Sequence, residues 1–238
     1  MDVPRLRPLR QGGALMADEV NEIIVKGIVV GVFQENCWVI GNRRTGEAIC
    51  IDPGDQPEEI LAMAKDMGVT IKAIANSHAH VDHILGVGAV KNATGAKFFM
   101  HKDEASMAAR AVELARTLAG QSAEEPPPPD FNPVDGDVVE VEGVKLTVIH
   151  TPGHTPGSLS YYTDGLLFSG DTLFAGSIGR TDLPGGDYDQ EMASIVDKLL
   201  VLPDETVVLP GHMMETRIGT EKEMNPFVRQ EMARRQGL

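Results

Sequence analysis

The sequence predicts an α/β protein of four layers, two β-sheets face to face with helices outside both, in the order αββα. Two observations predict it. Strand-like and helix-like runs follow the order β-rich, α, β, α, and the second half repeats that order. Residues able to bind metal stand just behind four strand-like runs, as though one edge of the sheets presents them together.

The elements read in order as follows. Ile23 to Phe33 is rich in β-branched residues, and Cys37–Ile40 and Ala48–Ile51 are short apolar strands. Gly41-Asn42, Thr45-Gly46 and Asp52-Pro53-Gly54 supply turns, so an antiparallel meander is expected. Pro57 opens a helix to about Met67, and Gly68 ends it. Ile71 to Ala75 reads as a buried strand, His83 to Lys91 as a helix, Lys97 to Met100 as a strand and Asp103 to Leu118 as a helix. Pro126 to Pro129 favours an extended connector between halves. In the second half, Asp137–Val141, Val144–Ile149, Ser158–Thr163 and Leu166–Ser169 read as strands. A helix over Asp187–Leu200, a strand over Thr206–Leu209 and a helix over Pro226–Arg235 complete the set. Met63, Met67, Met107 and Met192 fall on apolar helix faces and read as core.

The 238 residues carry a net charge of −14 and no basic run, which argues against a nucleic-acid partner. No apolar run approaches membrane-spanning length. Arg5, Arg7 and Arg10 are not followed by an apolar segment, so a signal peptide is not expected. Residues 1–15 read as a flexible tail, and 16–238 as a single domain. Cys37 and Cys50 sit in apolar runs and read as buried thiols of a cytoplasmic protein.

The chemistry lies in seven histidines and their aspartate neighbours. His78-Ala79-His80-Val81-Asp82-His83 packs four ionisable groups into six residues. Residues two apart in an extended segment point the same way, so His78 and His80 can share one ion. Asp82 and His83 fall where the chain turns into a helix, so they aim at a second ion nearby. His154, Asp171 and His212 each follow a glycine, which permits a sharp turn and a close backbone approach. Imidazole and carboxylate are the ligands of zinc and similar metals. A lone histidine is ordinarily structural. His101 is read that way, and so is His150, with orientation of the loop before His154 as its alternative role.

These residues resemble the metallo-β-lactamase superfamily over about Ile23 to Phe227. Phe168-Ser169-Gly170-Asp171-Thr172-Leu173-Phe174 and Gly179-Arg180-Thr181-Asp182-Leu183-Pro184-Gly185 resemble its short glyoxalase II-like branch, hydrolases of glutathione thioesters. The resemblance implies His78, His80 and His154 on one metal, Asp82, His83 and His212 on the other, and Asp171 bridging. It also implies two divalent ions, zinc foremost with iron or manganese as alternatives, and a hydroxide that attacks a small-molecule thioester. Asp82 would orient the nucleophile, and Arg180 would hold a substrate carboxylate. The chain departs from the pattern in ending soon after Phe227, without the large helical domain of long glyoxalase II enzymes. It also places Met213 after His212, where relatives carry a smaller residue. A mononuclear iron persulfide dioxygenase and a β-lactamase-like hydrolase are the alternative activities on the same fold.

Overall fold

The computed structural model describes residues 22–119 and 125–237. The tail expected over residues 1–15 lies outside them. β1 (Ile23–Val30), β2 (Glu35–Asn42) and β3 (Glu47–Ile51) form the antiparallel meander. β4 (Thr70–Ala75) and β5 (Lys97–Phe99) add in parallel and complete a five-stranded sheet ordered β1-β2-β3-β4-β5. The second half supplies β6 (Val138–Val141), β7 (Val144–His150), β8 (Leu159–Thr163) and β9 (Leu166–Gly170), then the short hairpin β10 (Leu173–Phe174) and β11 (Ser177–Ile178). β6 to β9 join β12 (Val207–Pro210) and β13 (Thr216–Arg217) in a six-stranded sheet ordered β13-β12-β9-β8-β7-β6, while β10–β11 stands apart.

Strand patterning explains the layering. In β2, Cys37 and Val39 face outward while Ile40 faces the other sheet, so both faces are apolar and both are buried. A register shift between Ala48 and Ile49 in the β3–β4 ladder moves β4 by one residue. Ile71 and Ile74 therefore share the outer face, three positions apart, and Ala73 and Ala75 share the inner one. The core between the sheets joins Ile40, Ile49 and Ala73 to Leu146, Leu159 and Phe168. Removing a ring such as that of Phe168, fully buried, costs about 3–5 kcal/mol by comparison with other buried aromatics.

Helices cover the outer faces. α1 (Pro57–Asp66), α2 (Val81–Ile84), α3 (Val87–Thr94) and α4 (Ala105–Ala119) lie on the first sheet. α5 (Tyr188–Ala193), α6 (Ile218–Met224) and α7 (Pro226–Gln236) lie on the second. Two helices differ from expectation. The single helix predicted over His83–Lys91 is broken into α2 and α3. The Gly86 amide donates to Gly54 O at 3.1 Å, and a Cβ on Gly86 would stand 2.6 Å from Pro53 O, so the chain bends there against the β3–α1 loop. The helix expected over Asp187–Leu200 is α-helical only to Ala193. It then widens, with Leu200 N donating to Ile195 O five residues back. The hairpin β10–β11, β13 and α6 were not anticipated.

The expected connector over Pro126–Pro129 links α4 to the second half, and Pro127 passes α3 at Gly88. Asp130 anchors its end through Phe98 N at 2.8 Å and through an ion pair with Lys91. Met63 and Met192 are buried, and Met67 and Met107 pack partly buried against the first-sheet core. No helix among the described residues is long and apolar enough to cross a membrane.

Candidate metal centre

Four loops meet at one edge of the two sheets. After β4 the chain runs extended through Ser77 to His80 and enters α2 at Val81. His78 and His80 fall on the extended part, while Asp82 and His83 fall on the helix. The loop after β7 brings His154, the end of β9 brings Asp171, and the end of β12 brings His212. Glycine permits the closest approach. A Cβ on Gly211 would lie 2.4 Å from Asp171 Oδ1 and 2.7 Å from His83 Cε1. Gly153 has a φ of 146° and packs on the Glu191 backbone at 2.2 Å from where its Cβ would be.

All seven predicted donors converge, in two groups. His80 Nδ1 stands 3.1 Å from His78 Nε2 and 2.8 Å from His154 Nε2. His212 Nε2 stands 3.2 Å from Asp82 Oδ2 and 3.4 Å from His83 Nε2. Asp171 lies between the groups. Its Oδ1 is 3.4 Å from His83 Nε2, while its Oδ2 is 3.6 Å from His154 Nε2 and 3.7 Å from His212 Nε2.

Within each group the ligand atoms lie within 4.8 Å of one another, close enough to share one ion. Two donors on one tetrahedral zinc at about 2.0–2.1 Å stand about 3.3 Å apart. Asp171 Oδ1 is buried with no hydrogen-bond partner, a free acceptor beside His83 Nε2. The donor set, imidazoles with two carboxylates, therefore fits divalent transition metals.

Partners behind the donors set which ring nitrogen faces inward. His83 Nδ1–H donates to Asp52 Oδ2 at 3.1 Å, so Nε2 is the free atom. Arg180 O accepts from His154 Nδ1–H at 2.7 Å, with the same result. His78 Nδ1 pairs with Ser77 Oγ at 2.9 Å, and Ser77 Oγ donates in turn to Asp52 Oδ2 at 2.6 Å. Asp52, His78 and His83 also lie close enough to suggest a third group of ligands. Asp52 is already committed to Ser77 and His83, so its role is orientation.

Sequence reasoning missed this supporting shell. Glu104 accepts from Ala79 N and from Gly157 N, each at 2.8 Å, and so ties the loop of His78 and His80 to the loop of His154. Glu191 Oε2 accepts from His154 N at 2.8 Å. Asn76 Nδ2 donates to His78 O and His83 O, and Tyr161 Oη donates to Asn76 O at 2.6 Å. Glu35 is fully buried with both oxygens unpartnered, 4.0 Å from His83 Nδ1, and burial holds its carboxyl well above the usual range. These partners lie up to 85 residues apart in sequence, so no local spacing announces them. Asp52 and Asn76, each directly after an apolar strand run, carried a local signal, whereas Glu35, Glu104 and Glu191 stand among polar neighbours.

Three other predicted positions resolve as follows. The Arg180 guanidinium is exposed and pairs with Asp182, Nε to Oδ1 and Nη2 to Oδ2 both at 2.8 Å. His101 and His150 stack with ring centroids 4.6 Å apart, away from the donor groups, and His150 Nε2–H donates to Pro156 O at 3.0 Å. Met213 adopts a φ of 68°, the left-handed region where glycine is favoured. Asn36 Nδ2 holds it there by donating to Met213 O at 2.9 Å.

The two groups differ in electrostatics. Burial, followed by the charge of His83, holds His78 well below the ordinary histidine value. Burial and then His154 push His80 down to about 4. Burial would lower His83 too, but Asp171 and Asp82 outweigh it and raise His83 well above the ordinary value. His212 is raised likewise, against burial, by Asp82 and Asp171. Burial would raise Asp171, and His83 and its neighbours instead hold it well below the usual carboxylate range.

Comparison with known proteins places this geometry. A family model described as the metallo-beta-lactamase superfamily matches residues 30–212. An uncharacterized protein of Aquifex aeolicus is 40% identical, over 86% of this chain and 97% of its own length. The probable metallo-hydrolase YqgX of Bacillus subtilis is 37% identical, over 84% of this chain and 94% of its own. The hydroxyacylglutathione hydrolase GloC of Haemophilus influenzae is 32% identical, over 84% and 96%. Among solved structures, BLEG-1 B3 metallo-beta-lactamase superposes with a TM-score of 0.80 at 38% identity, covering 86% of this chain and 99% of its own. TTHA1623 in a di-iron-bound form gives 0.75 at 36%, covering 85% and 99%. ETHE1 from Myxococcus xanthus gives 0.73 at 30%, covering 85% and 83%.

Proposed function

The chain belongs to the metallo-β-lactamase superfamily, and on that premise we propose that it is a binuclear metal-dependent hydrolase of thioesters of the hydroxyacylglutathione type. The observation that carries the binuclear reading is the place of Asp171. One carboxylate stands near both donor groups, with Oδ1 facing His83, Oδ2 near both His154 and His212, and Oδ1 otherwise unpartnered. Two divalent ions held there, zinc by preference, supply a water of near-neutral pKa and a Lewis acid for a carbonyl oxygen.

The chain's own residues do the rest. His78, His80 and His154 would hold one ion, Asp82, His83 and His212 the other, and Asp171 would serve both. Asp171 offsets part of the repulsion between two cations, which neutral imidazole cannot do. Asp82 lies at the mouth, less buried than Asp171, where it can orient the attacking water and take its proton. A thiolate leaves without a strong general acid. Arg180 would exchange Asp182 for a substrate carboxylate, since its present pairing is exposed and cheap to break.

The choice of thioester rests on the Gly179–Gly185 string and on a relative named as a hydroxyacylglutathione hydrolase. The similar proteins carry different names at comparable identity, so substrate must be tested directly. A small-molecule substrate in a cytoplasmic setting, where Cys37 and Cys50 stay reduced 3.5 Å apart, completes the reading. A mononuclear iron persulfide dioxygenase remains the second reading, because it shares the Gly179-Arg180-Thr181-Asp182 string. The metal-reconstituted protein should release thiol from S-lactoylglutathione and related thioesters. Oxygen uptake with glutathione persulfide and no thiol release from any thioester would replace this reading with the dioxygenase. Turnover of a β-lactam alone would replace both.

A further inference from the structure

A cleft of about 470 Å³ opens beside His80 and runs along α4. That volume falls within the range of small-molecule pockets, about 300–1,000 Å³. Val81, Met107, Ala111 and Leu114 form one side, and Leu183 with Pro184 forms the other. Arg110 and Glu113 are the charges on it, opposite in sign and both exposed. The lining suits hydrocarbon. A peptide-like anionic group laid along it would lose water and find few polar partners in return.

Three features point to a ligand here. The cleft is continuous with the metal centre, because His80 and Ala79 line its inner end. Leu114 is 44% exposed on α4, and it also lines the neighbouring small cavity with Val32, Phe33 and Asp82. Val32 is 77% exposed and Phe33 47% exposed, so apolar surface continues around the mouth of the site. Met107, flexible and polarisable, sits in the wall, where it can adapt to chains of different length.

We propose that this cleft binds an apolar acyl chain, so that the enzyme acts on thioesters of straight-chain apolar acids with the carbonyl delivered past His80 to the metal centre. The proposal rests on the thioester part of the functional reading and changes its acyl group from a hydroxyacyl to an apolar one. The reaction breaks the acyl carbon–sulfur bond and forms an acyl carbon–oxygen bond from water. The products are a carboxylate, a thiol and one proton. Each methylene buried in the cleft should raise kcat/KM by about two- to fourfold, the partition of one CH₂ out of water.

The test uses the full chain reconstituted with zinc and the acetyl, butyryl, hexanoyl and octanoyl thioesters of N-acetylcysteamine. Binding of acetate, hexanoate and octanoate is measured by calorimetry alongside. We expect kcat/KM to climb at least tenfold from acetyl to hexanoyl. Leu114→Glu, on an exposed position that tolerates charge, should cut the hexanoyl-to-acetyl ratio at least tenfold. Leu183→Glu tests the opposite wall should the first variant melt early. A flat series, or a slope unchanged in both variants, overturns the cleft assignment while leaving thioester hydrolysis standing. If no thioester is cleaved, the thioester reading falls and the carboxylates decide the cleft. Octanoate bound at least tenfold tighter than acetate, with the preference lost in Leu114→Glu, supports an apolar-chain site. Equal binding removes it.

Discussion

The two donor groups of this centre are built from similar residues and behave differently. His78, His80 and His154 form an all-imidazole group, with His78 fully buried and His154 nearly so. Asp82, His83 and His212 include a carboxylate, and two of the three are partly exposed at the mouth. In the first group, His78 and His80 refuse protons because burial and then repulsion from neighbouring histidines disfavour charge. The second keeps them, because Asp82 and Asp171 stabilise charged His83 and His212 against burial. Composition alone does not prepare a metal site. The balance of carboxylate and imidazole around each donor decides whether an arriving ion meets a free lone pair or must displace a proton.

The comparison is broken most severely by removing the residue the groups share. Asp171→Asn keeps the shape and deletes the charge. It is expected to lose at least one metal and to lower kcat by about 100-fold or more, beyond the loss typical of outer partners. The fold should persist by circular dichroism, since no strand hydrogen bond depends on this side chain. His101→Asn, made in parallel, should keep both metals. Two metals and near-normal turnover in the Asp171 variant would sink the bridging assignment.

Outer partners should separate the groups. Asp52→Ala removes the acceptor of His83 Nδ1–H directly and that of the Ser77 hydroxyl behind His78 at one remove, so it should weaken metal binding by about 10–100-fold, more in the second group than in the first. Glu191→Gln weakens the acceptor of the His154 amide and should act on the first group. Metal counts by mass spectrometry under a chelator series distinguish the two. Earlier loss from the same group in both variants contradicts the division.

The pH dependence follows from the same contrast. His80, at about 4 in the folded protein, is neutral over the working range. The unfolded chain protonates it near about 6.5. Between those values only the unfolded state takes the proton, so its contribution to metal-free stability worsens as pH falls from about 6.5 toward 4. His83 has the opposite sign. Its raised value favours the metal-free fold below about 6.5, and that contribution is lost as pH rises through its folded pKa. Metal binding to the second group must release those protons. On lowering the pH from 8 to 6, we expect stoichiometry to fall from two ions toward one, with the first group retained. Simultaneous loss of both ions across that range would contradict this.

The smallest effect concerns Arg180. Its guanidinium is exposed and already paired with Asp182. Arg180→Ala should raise KM for a glutathione thioester by up to about fivefold, the span of a surface ion pair, and leave kcat near normal. An unchanged KM removes Arg180 from substrate binding.

The layered fold, and the residues that converge at the candidate centre, were legible in the sequence because both are local signals. Short β-branched and apolar runs between turn residues declare a strand, and H-x-H-x-D-H places two donors on an extended segment and two on the following helix within six residues. Glycine before His154, Asp171 and His212 marked backbone that must come close, as Gly211 does to Asp171 and His83. Tertiary structure decided the rest. The break between α2 and α3 depends on Gly86 meeting the β3–α1 loop, and the widening after Ala193 has no periodicity of its own. Asp52, Glu104 and Glu191 matter because they reach 31, 53 and 37 residues along the chain to His83, Gly157 and His154. The physical reason is range. Local pattern reports which side of a strand or helix a residue occupies, while the orientation of a ring, and hence which nitrogen can meet a metal, is set by a partner that only folding brings into place.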